Sequence, residues 1–230
     1  MDQDVMRCVE RGQTLARRDI ETLTVSGTMR HLIDCDLEEA DLSELDLSHW
    51  IFERCNLRRT KLSGAKLIAT KWLSCRGPFC NFAGANLSEG AVRSSDFNNA
   101  VFRRATISSA VFRSCKLTGV DLSDVIAFDV KFEETLLIGA KMPDLSFRKQ
   151  LLLKLDLSHA DLRRCDFREV IFENCSLREA NLMGSRFGGA DLRLADLSGF
   201  KLMDAGLFRG ARISLEQAGN LLSELGLVVR

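Results

Sequence analysis

A five-residue period governs this chain. From Leu32 to Leu207 every fifth residue falls in one phase; Leu or Phe fills 30 of these 36 positions, and no insertion shifts the register. Trp72, Val92, Ile107 and Met142 keep four more of them apolar, so Gly77 and Ala127 stand out as faults. Such a period matches neither the 3.6 of an α-helix nor the 2 of a plain strand. It fits a coil of short sides, in which each five-residue unit makes one side and one corner. Two residues before each large position the chain prefers a small one, such as Cys35, Ala40, Cys55, Thr60 and Ala65. At spacing two on an extended side the small and large residues share a face and point inward together. The residue between them is polar and often Asp or Asn (Asp36, Asp41, Asn56, Asn81, Asp121, Asp161), facing outward where turns form.

The pattern, roughly A(D/N)Lxx, resembles the pentapeptide-repeat family; ADLSELDLS, CNFAGANLS, LDLSHADLRRCDF and ADLRLADLSGF match it closely. That resemblance implies an all-β fold, a right-handed quadrilateral β-helix with four repeats per coil and about nine coils, roughly 40 Å long at ~4.8 Å per coil. Solenoids need caps at their open ends. The organisation expected is an N-terminal cap segment (1–29), the β-helix (30–211) and a C-terminal helix with its tail (212–230). In the first segment Val5, Met6 and Val9 suggest one or two helical turns ending near Gly12, and Leu15, Ile20, Leu23 and Val25 an imperfect first coil.

The C-terminal end is legible in more detail. Ser214 and Gln217 stand at capping-box spacing, and Leu215, Ala218, Leu222 and Leu225 form an apolar stripe with Leu221 at its edge. Gly226 is placed to stop the helix, and Leu227-Val228-Val229 reads as a short extended tail. A helix of about three turns is unstable alone, so this one must pack on its own last coil, a second subunit, or both.

Composition excludes several classes. The 32 basic and 32 acidic side chains cancel, against a strongly basic nucleic-acid binder, and 46% apolar residues are too many for a disordered chain. Without a long apolar run or a signal-peptide core, the expectation is a soluble cytoplasmic protein with no membrane contact. Seven of the eight cysteines (Cys35, Cys55, Cys75, Cys80, Cys115, Cys165, Cys175) fall in the small inward slot and read as small buried hydrophobes; Cys8 does not. No CxxC pair argues for a metal, and His31, His49 and His159 point outward on unrelated sides and coils. No hydrolase, phosphate-binding or metalloprotease motif occurs, so no enzyme, cofactor or metal is expected.

Three surface features remain. Folded at a period of twenty, the side through Leu37 carries Asp36, Glu38, Glu39, Asp96, Asp156 and Asp196 and sums to −2, the most acidic of the four. The side through Leu32 shows an outward apolar row of Ile51, Ala91, Val111, Leu151 and Ile171. Gly77-Pro78-Phe79 interrupts the lattice: a Gly in a large slot leaves a void unless Trp72 or Phe79 fills it. A second irregular zone runs from Val125 to Leu155.

The tail, QAxxLxxxLGLxV from Gln217 to Val229, is similar to that of the topoisomerase-protecting pentapeptide-repeat subgroup, the Qnr, MfpA and albicidin-immunity type. The resemblance implies a homodimer joined through Leu215, Ala218, Leu221, Leu222, Leu225, Leu227 and Val229. It also implies a DNA-like rod whose acidic side meets DNA gyrase or topoisomerase IV and relieves inhibition by poisons, with no direct nucleic-acid contact. The neutral net charge and the lack of inserted loops depart from the Qnr pattern and leave the MfpA type nearer. The alternative is a general protein-interaction scaffold working through Ile51, Val111 and Ile171.

Overall fold

The computed structural model describes residues 8–25, 29–200, 206–223 and 226–227, in two compact units, 1–131 and 132–230. The first contains β1 (Cys8–Arg11), α1 (Arg17–Val25), β2 (Arg30–Ile33), β3 (Ile51–Glu53), β4 (Lys71–Leu73), β5 (Ala91–Arg93) and β6 (Val111–Arg113). The short β7 (Lys131–Glu133) falls at the junction in the chain; the second unit continues with β8 (Leu151–Leu153), β9 (Ile171–Ser176), β10 (Asp191–Asp196) and α2 (Leu215–Ser223).

Both units are parallel β-solenoids with the expected repeat of twenty. In the first, Phe52 lies opposite Trp72 and Val92 opposite Phe112, while bridges at Asp36↔Asn56, Asp41↔Lys61 and Asp46↔Lys66 mark the other three sides. In the second, Leu152 lies opposite Phe172, with Leu136↔Asp156, Lys141↔Asp161 and Ser146↔Asp166 on the remaining sides. Corners close with a β-turn, as in Ala40 N–H donating to Leu37 O at 3.1 Å, or bend without that hydrogen bond where they follow a β-strand, as at Arg54; the corner residue is left-handed in both kinds, as at Glu39 (φ 57°) and Arg54 (φ 50°).

The core is a set of stacked columns. Phe52 and Trp72 lie 4.1 Å apart at 4°, Phe82 and Phe102 4.5 Å at 12°, and Phe147 and Phe167 5.3 Å at 3°. Each pair is separated by twenty residues, so the coil rise places successive rings at favourable stacking distance. The chain has 14 Phe and no Tyr because a slot facing this interior gives a phenol oxygen no partner. Trp72 keeps its one polar atom satisfied: Nε1 donates to Thr70 Oγ1 at 3.0 Å, and that hydroxyl donates to Leu67 O at 2.7 Å.

The N-terminal expectation needs correction. Residues 8–11 are not helical but extend β2 by a parallel strand, Val9 lying opposite His31. Residues 17–25 are not a coil but the helix α1, held by the buried Ile20 and by Arg17 Nη1, which donates to Asp41 O and Ser43 O at 3.1 Å each. Val5 and Met6 lie outside the described residues.

The Gly77 slot is filled, by neither expected side chain. A Cβ on Gly77 would stand 2.4 Å from Cε1 of Phe97, whose ring comes from the next coil, while Phe79 is 52% exposed. In the second irregular zone Val130, Leu145 and Leu155 are buried in small slots; Ile126 and Phe128 turn outward at 62% and 81% exposure beside a half-buried Ala127.

Candidate interaction surfaces

The recurring Asp/Asn is a structural device. Its side-chain oxygen accepts from the backbone N–H two residues on, at 3.0 Å from Asp36 to Glu38, 3.2 Å from Asn56 to Arg58 and 3.0 Å from Asp156 to Ser158. An amide oxygen serves as well as a carboxylate in this Asx turn, which is why Asp and Asn interchange in the slot.

The acidic side is therefore largely occupied from within. Asp36, Asp96, Asp156 and Asp196 are half-buried and each holds a turn N–H. The exposed Glu38 and Glu39 meet arginines one coil on, Arg58 Nη1 at 2.8 Å and Arg59 Nη1 at 3.3 Å. Hydrogen bonds from Asn56 and Arg58 hold the Glu38 carboxyl below the usual carboxylate range. The same cross-coil pairing recurs at Asp34–Arg54 (2.7 Å), Asp144–Arg164 (2.6 Å) and Glu134–Lys154 (3.4 Å). Positions twenty apart are the closest outward neighbours, and opposite charges placed there form a neutralised ladder.

The apolar row does not stand as one surface. Ile51 is 5% exposed, flanked in the ladder by Lys71 and by His31, whose Nε2 lies 2.9 Å from Glu53 Oε2 on the same face. Ala91 and Val111 are half-buried. In the second unit Leu151 and Ile171, opposite each other, are 54% and 52% exposed.

The cysteine column is interior: the seven slot cysteines are buried free thiols, whereas Cys8 is exposed. Burial pushes the thiols of Cys115 and Cys175 up to about 11 and that of Cys165 to about 12, so they stay protonated. Among the described residues no group of His, Cys, Asp or Glu could hold a metal ion, and no helix is long and apolar enough to cross a membrane.

The capping box at the C-terminus is formed. Gln217 N–H donates to Ser214 Oγ at 3.1 Å, and Ser214 N–H to Gln217 Oε1 at 2.7 Å. Gln217 also docks the helix: its Nε2 donates to Leu192 O at 2.8 Å and Ala195 O at 2.7 Å. The sequence pattern marked the cap but not this second role. No residue of α2 is buried: Ala218 and Leu221 are half-covered, Leu222 is 36% exposed, Leu215 92% and the following Leu227 52%. Gly226 turns the chain at φ 73°. Leu225 and Val229 lie outside the described residues. Beside α2 a cleft of about 400 Å³ is lined by Asp196, Ser198, Phe200, Gln217, Asn220 and Leu221.

The family model for pentapeptide repeats matches eight copies over residues 31–71, 80–124, 131–168 and 160–199. No curated protein matches the chain. Similar solved structures include QnrB1, a plasmid-mediated fluoroquinolone resistance protein (18% identity, TM-score 0.47, 97% of this chain and 98% of that one). Another is HetL of the cyanobacterium Nostoc, involved in heterocyst differentiation regulation (20% identity, TM-score 0.43, 83% and 87%). A third is a pentapeptide repeat protein of the Arabidopsis thaliana thylakoid lumen (21% identity, TM-score 0.18, 71% and 72%). At these values no neighbour's role transfers. The repeat lattice, the four bridged sides and the matched residues together make this chain a member of the pentapeptide-repeat family.

Proposed function

We propose that this protein is a non-catalytic binding solenoid that dimerises through α2 and engages a type II topoisomerase, DNA gyrase or topoisomerase IV, protecting it from topoisomerase poisons. The observation that carries the reading is the C-terminal helix. It is fixed to the last coil by Gln217 yet leaves Leu215 and Leu222 exposed, in a tail whose residues resemble those of the topoisomerase-protecting subgroup. An apolar helix face left in solvent is the ordinary mark of a protein interface. The acidic side enters in a reduced form: with Glu38 and Glu39 paired and the aspartates holding turns, the protein presents a mixed, paired surface rather than a row of free carboxylates.

A second reading, a general protein-interaction scaffold, is favoured by one observation, the exposed Leu151–Ile171 pair in the second unit. Binding to immobilised gyrase holoenzyme separates the two. The topoisomerase reading expects saturable binding that linear duplex DNA competes away. Absence of binding at micromolar protein contradicts it and leaves the scaffold.

A further inference from the structure

The exposed Leu151–Ile171 pair has a charged neighbour that the lattice does not require. On the two coils that carry the pair, the preceding corners are Arg148-Lys149 and Arg168-Glu169. The coils are bonded to each other at that junction: Lys149 N–H donates to Arg168 O at 3.0 Å, and Ile171 N–H to Gln150 O at 3.1 Å. Apolar pair and charged corner therefore form one continuous patch within the second unit.

Cations outnumber carboxylates at this corner. Glu169 takes both Arg148 Nη2 at 2.9 Å and Lys149 Nζ at 3.7 Å. Asp166, two residues before Arg168, takes Arg168 Nη2 at 2.6 Å and Arg186 Nη2 at 2.9 Å. Four cations thus share two carboxylates. Cross-coil pairs elsewhere are one to one, as at Arg58–Glu38, Lys154–Glu134 and Arg164–Asp144. Asp41 also meets two cations, but there Arg17 has Glu21 as well. Hydrogen bonds from Arg148 and Arg168 hold Glu169 and Asp166 below the usual carboxylate range, so both are ionised at neutral pH and the positive excess stands. On the other edge of the pair Leu153 lies opposite Glu173, so charge is polarised across the apolar residues.

We propose that Leu151 and Ile171, with Arg148, Lys149 and Arg168, dock a segment of a partner protein that lays an apolar side chain on the pair and carboxylates over the corner. Each guanidinium has five N–H donors, more than Glu169 and Asp166 occupy, so both arginines keep donors for an incoming carboxylate. Charge complementarity makes the segment acidic. The apolar pair selects a protein over nucleic acid, since a row of phosphates gives it nothing to bury against and would meet Glu169 and Asp166 with like charge. The proposal rests on the apolar pair of the scaffold reading and not on the topoisomerase or on dimerisation, so gyrase binding and peptide binding fail separately.

The test uses the full chain and two fluorescein-labelled peptides, followed by anisotropy at low salt. One peptide carries a Leu-Phe pair and a run of Glu, the other Lys in place of Glu. Wild type is expected to bind the Glu peptide and not the Lys peptide. Leu151→Thr with Ile171→Thr should weaken binding about tenfold or more. Both side chains face solvent and Thr suits a strand, so Tm should stay within about 3 °C of wild type and lost binding is not lost folding. Arg148→Gln with Lys149→Asn should weaken binding and flatten its salt dependence, Asn being tolerated at the left-handed Lys149 (φ 64°). Arg58→Gln with Arg59→Gln, on one-to-one pairs, should do neither. No binding by wild type, equal binding of the Lys peptide, or unchanged binding by the double Thr variant would each overturn the proposal. So would binding of duplex DNA that the same substitutions abolish, or self-association that survives Leu222→Asp and is lost in the double Thr variant, which would give the face to a second copy of this chain.

Discussion

The ring of Phe97 occupies the space that Gly77 leaves open one coil earlier: a Cβ on Gly77 would lie 2.4 Å from Cε1 and 2.6 Å from Cδ1 of that ring. The large slot is thus filled across coils, and the exchange is completed by Trp72, whose ring meets Phe97 edge-on at 6.0 Å and 85°. Restoring the repeat at this position should harm the protein. Gly77→Leu is expected to cost about 1–3 kcal/mol by overpacking, read as a lower midpoint in urea at unchanged slope. A more stable Gly77→Leu would show that the slot holds unused space.

The Asx slot predicts a difference between two substitutions at one site. Asp156→Asn keeps the oxygen that accepts from Ser158 N–H and should leave Tm within about a degree. Asp156→Ala removes the acceptor and should cost about 1 kcal/mol. Equal effects of the two would mean that the carboxylate charge, not the turn, matters at this position.

Thr70 supports the buried indole of Trp72 through a single contact, Nε1 to Oγ1 at 3.0 Å. Thr70→Val keeps the shape and strands a buried N–H, an expected loss of about 1–3 kcal/mol in chemical denaturation. The companion Thr60, whose Oγ1 donates to Leu37 O at 2.7 Å without serving an indole, should tolerate Val better.

Arg193 holds the carboxyl of Asp191 down to about 2, with Nη2 to Oδ2 at 2.6 Å. A folded-state pKa below the unfolded value of about 3.9 gives stability that is present above about pH 4 and lost as pH falls towards 2. Hydrogen bonds from Arg168 and Arg163 likewise lower Asp166 and Asp161, so acid unfolding should draw on the same window. An NMR titration of Asp191 should return to the ordinary carboxylate range in Arg193→Ala. No change would place the cause outside the ion pair.

Much of the fold was legible because the lattice has one phase over 176 consecutive residues from Leu32 to Leu207, and each outward ladder then follows by adding twenty. The ends were less so. Cys8–Arg11 is a strand only because β2 offers it a parallel edge, which four residues of local sequence cannot express. The helix over Arg17–Val25 depends on Arg17 reaching the carbonyl groups of Asp41 and Ser43. Among the surfaces, the acids of the Leu37 side were easy to find, but their neutralisation was visible only with partners taken twenty residues apart, Glu38 with Arg58 and Glu39 with Arg59. Ile51 shows the remaining difficulty: its slot faces outward, yet His31 and Lys71 flank it and leave it 5% exposed.

The most direct test of the account is gyrase supercoiling in the presence of a fluoroquinolone or albicidin, with wild type and Leu222→Asp added at increasing concentration. The account predicts that wild type restores supercoiling under at least one poison. It also predicts that Leu222→Asp, monomeric by sedimentation but unchanged in circular dichroism, restores none. Wild type that neither protects nor inhibits at micromolar concentration, or a monomeric variant that protects as well as wild type, would contradict it.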